Sequence, residues 1–279
     1  MEVFYTGFDI IGNGKVALNT KSLSLNTNES YYQELKKVLK IRRVKDLPFV
    51  RIGKVNDGGY IMAGNLSQIG WGGRGIAYSF GISNEISWDV DMARRGYNIF
   101  MYDMTIDKLP YENEKFHFFK EGIGGVKDEE KLLDTLENFL KRNGHENKYE
   151  MILKMDVEGA EWDFLENVSL ETLIKFDQIV FEFHSLTEPK TFSEMCRIIN
   201  LIDKINKTHT LVHLHGNNNQ HYINVENVGV IPNVLELTYL RTKNHNFCDD
   251  EIFLPSSLDS PNNPTTPDIS LGYWNKFTH

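Results

Sequence analysis

Short apolar runs recur along the chain, separated by stretches of helical period. Residues 75–82, 97–104, 116–121, 149–157, 177–184, 209–215 and 234–241 are rich in aromatic and β-branched side chains, the signature of strands. Between them, residues 131–142 carry Leu132, Leu133, Leu136, Phe139 and Leu140 at helical spacing, and residues 192–206 carry Met195, Ile198, Ile199, Ile202 and Ile205. Stripes of that period lay one face of a helix on a sheet. Seven strands alternating with helices predict an α/β fold on a mostly parallel sheet.

Flanking this core the pattern changes. Residues 1–28 are rich in Asn, Ser, Thr and Gly and read as an irregular arm or short hairpin. Residues 29–44 read as a helix, with a basic cluster of Lys36, Lys37, Lys40, Arg42, Arg43 and Lys45. Such runs are usually solvated helix faces, with phosphate or membrane binding the alternative. Four of the eight prolines fall in residues 255–267, which excludes regular structure there. That tail is a disordered end or an ordered strap, and Trp274 favours docking. The expected division is an arm and helix over 1–50, a core over 51–254 and a Pro-rich tail over 255–279.

Composition narrows the functional classes. A chain of 279 residues with 41% hydrophobic content suits one large α/β domain. A formal charge of -9 lacks the electrostatic footprint of a general nucleic-acid binder. Two cysteines make no disulfide framework, no run of about 18 apolar residues offers a membrane span, and the first residues do not read as a leader. A reducing cytoplasm is the expected compartment, with self-association left open.

Acidic chemistry concentrates at strand ends. The segment KMDVEGAEW, Lys154 to Trp162, sets Asp156, Glu158 and Glu161 directly behind an apolar run, where carboxylates are costly unless something uses them. In open α/β sheets ligands gather at the carboxyl ends of strands. Asp156 is therefore the functional candidate, Glu158 the second acid, and Glu161 is expected to complement the positive end of the next helix. The first core strand ends at Gly81, whose turn precedes a helix start near Ser83 to Ser87 and can cradle a ligand through backbone N–H groups. The fingerprint G-x-G-x-x-G is absent, which disfavours nicotinamide or flavin chemistry. Asp103 follows 22 residues later, where an acid commonly accepts hydrogen bonds from a ribose diol. Asp57-Gly58-Gly59-Tyr60 reads as a tight turn.

The segments RIGKVNDGGYIM, SFGISNEISWDVDMARRGYNIFMYD, LKMDVEGAEWDFL, FEFH and HLHGNN, each near a strand end, resemble the FkbM-like and methyltransferase-like protein 24 group of S-adenosylmethionine-dependent methyltransferases. The resemblance runs from about Arg51 to Arg241. It implies a Rossmann-like class I fold, a seven-stranded sheet with the last strand, residues 234–241, antiparallel. It implies S-adenosylmethionine as cofactor: Gly81, Ser83 and Glu85 on its methionine and ribose side, Asp103 on the ribose hydroxyls, and Gly122 and Ile123 near the adenine. Asp57, Gly59 and Tyr60 would fold over the cofactor, with Tyr60 as a wall. The chain keeps Gly81 without a second glycine two residues on, a departure from the common E/D-x-G-x-G form.

A second constellation supplies acid and base groups: Asp156 and Glu158, then Glu182 and His184, then His213 and His215, followed by Asn217 and Asn218. Period-two spacing puts the members of each later pair on one sheet face. Methyl transfer to a hydroxyl needs the nucleophile opposite the leaving sulfur and its proton removed. His184 or His215 oriented by Asp156 would serve as base, or Asp156, His184 and His215 would hold a divalent metal. His209, His221 and His245 are expected at the surface or in loops. A polar pocket with Asn217 and Asn218 suits a polyhydroxylated ligand, and the resemblance points to O-methylation of a sugar or nucleotide-linked sugar in surface polysaccharide biosynthesis. The rivals are a metal-dependent hydrolase using the same cluster and a non-catalytic glycan-binding protein.

Overall fold

The computed structural model describes residues 4–11, 15–22, 28–64 and 75–276. Strands Phe4–Ile11 and Lys15–Ser22 pair antiparallel, the hairpin alternative for the arm, whose other residues lie outside those described. Helix α1, Asn28–Val38, follows. It ends earlier than the pattern predicts, because Arg43–Val44 leaves as a short strand to pair with Phe247–Cys248.

The core strands are β1 (Gly75–Phe80), β2 (Tyr97–Tyr102), β3 (Phe116–Phe119), β4 (Met151–Met155), β5 (Phe176–Phe183), β6 (His209–Gly216) and β7 (Leu235–Arg241). They form one seven-stranded sheet in the order β6-β7-β5-β4-β1-β2-β3. β7 runs antiparallel to both β5 and β6, while the other pairings are parallel. This is the Rossmann-like fold expected from the sequence. Its strand order reverses at β1 and β4, so a crevice opens where those two strands end.

Helices α2 (Ser87–Arg94), α3 (Leu136–Arg142), α4 (Glu161–Asn167), α5 (Leu170–Leu173) and α6 (Phe192–Asn206) connect the strands. α6 keeps its predicted bounds, opened by a capping box in which Thr191 and Glu194 satisfy each other's backbone N–H. α3 is shorter than expected. Leu132 takes a φ of 56° and Leu133–Asp134 pairs with Gly122–Ile123 instead. Thr135 then caps the helix, its hydroxyl accepting from the Asn138 N–H at 3.3 Å.

The two sheet faces are covered differently. One buries Leu153, Met155, Ile179, Phe181 and Phe183 beneath helices that include α1, α3, α4 and α6. The other buries Ala77, Ile99, Ile152 and Val180 against α2 and the hairpin of Phe49–Ile52 and Tyr60–Ala63. That second face is partly polar, and the hairpin meets it in kind: the Ala63 N–H donates to Gln178 Oε1 at 2.8 Å and the Gln178 amide donates to Ala63 O at 3.0 Å.

The tail is an ordered strap. Trp274 is fully buried and its indole N–H donates to Leu39 O at 2.9 Å. Asn275 brackets Ile41, accepting from its N–H and donating to its carbonyl. Trp274→Ala is expected to cost about 3–5 kcal/mol, read as a lowered urea midpoint; a cost under about 1 kcal/mol would mean the strap contributes little to folding. Five of the six side chains of the basic cluster have partners. Lys37 pairs with Glu34, Lys40 and Arg42 with Asp249, and Arg43 with Asp250, while Lys36 donates to the carbonyls of Val228 and Lys276. The solvated-face reading fits those pairs better than phosphate or membrane binding. No helix among the described residues is long and apolar enough to cross a membrane.

Candidate functional site

At the carboxyl ends of β4 and β5, Asp156, Glu158 and His184 come together. His184 Nε2 lies 3.5 Å from Glu158 Oε2, 4.0 Å from Asp156 Oδ1 and 3.8 Å from Glu182 Oε1. Its other nitrogen, Nδ1, is 3.0 Å from Glu161 Oε1. Glu161 is fully buried, and it also accepts from the backbone N–H groups of His184 and Gly159, each at 2.8 Å. The expectation that Glu161 merely starts a helix is therefore corrected. It holds the imidazole and the β4 turn together, as a carboxylate placed behind a histidine does.

Beneath this cluster Tyr60 enters from the hairpin. Its hydroxyl lies 3.0 Å from Asp156 Oδ2 and 3.3 Å from Glu182 Oε2. The residue is buried and aims its polar tip at the acids. Asn217 donates to Glu182 Oε1 at 2.7 Å. Asn218 donates to the carbonyls of Asn263, Thr266 and Pro267 and to the Thr266 hydroxyl. Neither asparagine is a free sugar contact; both secure the site from outside.

His215 does not join Asp156 and His184. It sits opposite Glu236 in the β6/β7 register, which itself sits opposite Glu182, so Glu236 stands between it and the acid cluster. Its Nδ1 is 3.0 Å from Glu236 Oε2 and its Nε2 is 2.9 Å from Asp268 Oδ1. With both nitrogens committed it cannot ligate the metal proposed from sequence, nor act as the base beside Asp156. His213 is held through Nε2 by Asp259 at 2.8 Å. His209 is buried rather than superficial, its Nε2 3.0 Å from Phe176 O. His221 and His245 contact Thr187 and Asp177.

Asp259, Asn262 and Asp268 come from the strap, and the sequence offered no signal for them. Asn262 donates to Glu236 Oε1 at 2.6 Å and to Asp57 Oδ1 at 3.3 Å, joining strap, sheet and the Asp57 turn.

The cofactor-side residues lie along the ends of β1, β2 and β3. Asp103 Oδ2 accepts from the N–H groups of Ile82 and Ser83 at 2.8 and 2.7 Å. Its Oδ1 accepts from the Thr105 N–H and hydroxyl at 2.7 and 2.6 Å. Burial raises its pKa, but the donors from Ser83, Thr105 and Ile82 outweigh that and hold it below the usual carboxylate value. Asp103 thus braces the β1 turn, and a ribose hydroxyl would have to share its oxygens with these donors. Glu85 pairs with Lys54 and accepts from the Ser87 N–H at 2.7 Å.

The glycines are explained by close passages within the protein. A Cβ on Gly81 would stand 1.5 Å from Asp156 O, one on Gly59 2.0 Å from Lys54 O, and one on Gly122 2.8 Å from Leu133 Cδ2. Gly58 lies directly over Glu85, so the Asp57 turn does cover the β1 turn. Ser83 is exposed and Met104 is 42% exposed, with Gly122 beside Met104 and Ile123 buried behind it.

Electrostatics set the acid cluster apart. Burial lowers the His184 pKa, but Glu161, then Asp156 and Glu158, outweigh it and hold it above the usual histidine value. Burial, then Asp156 and Glu236, push the Glu182 carboxyl well above its ordinary range. Lys154, the buried cation on β4, donates to Gly81 O at 3.0 Å rather than to these acids.

No curated protein matches the chain. A solved structure from Streptococcus thermophilus, described as a hemolysin, aligns over 90% of this chain and 74% of its own at 9% identity with a TM-score of 0.35, a likeness too slight to carry an argument. Residues 103–209, less than half of the chain but spanning Asp103, the whole KMDVEGAEW segment and His184, match the Methyltransferase FkbM domain.

Proposed function

We propose that this protein is an S-adenosylmethionine-dependent O-methyltransferase acting on a hydroxyl of a sugar, in a glycan or a nucleotide-linked precursor. The observation that carries this reading is the contact between its two halves: Gly81, opening the turn after β1, lies against the carbonyl of Asp156, the first acid of the cluster. A donor held along the ends of β1 to β3 would therefore meet an acceptor held at Asp156, Glu158 and His184. The cofactor supplies an electrophilic methyl group on a sulfonium. The acceptor oxygen forms the C–O bond as the C–S bond breaks toward sulfur, and its proton passes into the acid and histidine cluster. Exposed Glu158 and the polar loop at Asn219 and Gln220 favour a hydroxylated acceptor over an apolar one.

Isothermal titration should detect both S-adenosylmethionine and its demethylated product. Transfer of labelled methyl groups to sugar acceptors should fall about 10²–10⁴-fold in His184→Ala and Asp156→Asn while donor affinity is retained. Binding of a nicotinamide cofactor with no binding of either sulfur compound would sink the proposal. Donor-independent hydrolysis abolished by chelators would favour the hydrolase, and glycan binding without turnover the non-catalytic alternative.

A further inference from the structure

We infer that Asp156, Glu158 and His184 bind one divalent cation of the Mg²⁺ or Mn²⁺ class, with Glu161 as the residue that orients its imidazole ligand. One ligand atom from each of the three residues lies within 4.8 Å of the others. Ligands on opposite sides of one such ion stand at most about twice a 2.1–2.4 Å bond apart, so a single ion reaches all three with little rearrangement.

Charge points the same way. Asp156, Glu158 and Glu161, with the Glu182 carboxyl beside them, surround one imidazole, and the nearby Lys154 ammonium is engaged with Gly81 O. Two neighbouring acceptors are already engaged: Tyr60 donates to the far oxygen of Asp156, Oδ2, and Asn217 donates to Glu182 Oε1, the Glu182 oxygen that lies 3.8 Å from His184 Nε2. His184 Nε2, Asp156 Oδ1 and Glu158 Oε2 are thereby left facing one another. Glu161 behind Nδ1 selects Nε2 as the ligand atom, the outer-shell arrangement that metal-binding histidines use.

The donor set also indicates which ion. One imidazole with carboxylate oxygens suits Mn²⁺ or Mg²⁺ better than a closed sulfur-rich zinc site. The Glu158 side chain is 88% exposed, so the remaining coordination positions open to solvent. On the methyltransferase reading, which this step extends, those positions would take the acceptor hydroxyl and a neighbouring hydroxyl of the sugar. Cation binding itself does not depend on that reading.

The test is a titration of the full chain with Mn²⁺ alone, following free Mn²⁺ by electron paramagnetic resonance without methyl donor or sugar. One site per chain is expected. Glu158→Gln, at an exposed position that folding does not need, should weaken it at least tenfold, and Glu161→Gln by about 10–100-fold although it removes no ligand. Absence of bound Mn²⁺ at millimolar concentration, or equal binding by wild type and Glu158→Gln, would overturn the site. Failure to bind S-adenosylmethionine would instead overturn the methyltransferase reading and leave this result standing.

Discussion

Gly81→Ala is expected to abolish the site and destabilise the whole sheet. Gly81 adopts a φ of 74°, in a region that L side chains enter only with strain. The larger problem is space, because an added Cβ would stand 1.5 Å from the Asp156 carbonyl oxygen. That oxygen is backbone at the end of β4, which is hydrogen-bonded to β1 through Phe80 O and the Asp156 N–H at 3.1 Å. No rotamer change relieves such a contact; the two central strand ends must part. Parting them moves the Gly81 carbonyl from Lys154 and the Ile82 and Ser83 N–H groups from Asp103. Loss of several kcal/mol is expected, beyond the roughly 1–3 kcal/mol of backbone strain alone. A urea midpoint within error of wild type would mean that β1 and β4 do not close as described. Gly64→Ala is the control, with a φ of 104° but nothing among the described residues within 4 Å of its added Cβ; it isolates strain from collision.

The strands were legible because burial on both faces leaves near-continuous apolar runs, as in residues 151–155, all buried; their order in the sheet was not. Helix ends were less so. Leu132 and Leu133 fit a helical stripe, yet the chain spends them on a turn and a two-residue pairing with Gly122–Ile123, a tertiary choice invisible to periodicity. The cluster of Asp156, Glu158 and His184 was legible from strand-end position alone. Glu161 was misjudged for a physical reason: an acid at a helix start is usually satisfied there, and only its burial against His184 reveals the other duty. His215 was misplaced because period-two spacing fixes a face but not a neighbour. Its actual partner Asp268 lies 53 residues away in a segment with no periodicity to read. Aligning Glu182, Glu236 and His215 in one cross-strand row requires knowing that β7 inserts between β5 and β6.

Removing the His215 imidazole should unlatch the strap and make stability less dependent on alkaline pH. His215 is buried between Glu236 on β7 and Asp268 on the strap, with Asp259 of the strap a further negative charge nearby. Burial pulls its pKa down, but the Asp268 and Glu236 hydrogen bonds outweigh that and raise it to about 10. A group raised on folding contributes stability that is fully present below its unfolded value, about 6.5, and lost as pH climbs through the folded value. Wild type should therefore lose up to about 1.4 kcal/mol per pH unit across that interval from this group. Lys36 acts with the opposite sign, since burial lowers its pKa to about 8, so between that pH and its ordinary value it favours the folded state as pH rises. The diagnostic is consequently the difference between wild type and His215→Gln, in which Lys36 cancels. That difference should be largest near pH 6 and shrink toward pH 10. At neutral pH, His215→Ala should cost about 3–5 kcal/mol, because it leaves Glu236 and Asp268 facing each other without the cation between them. The strap should also become susceptible to proteolysis between residues 255 and 268. If the two proteins lose stability in parallel from pH 6 to pH 10, the imidazolium latch is not what closes the strap.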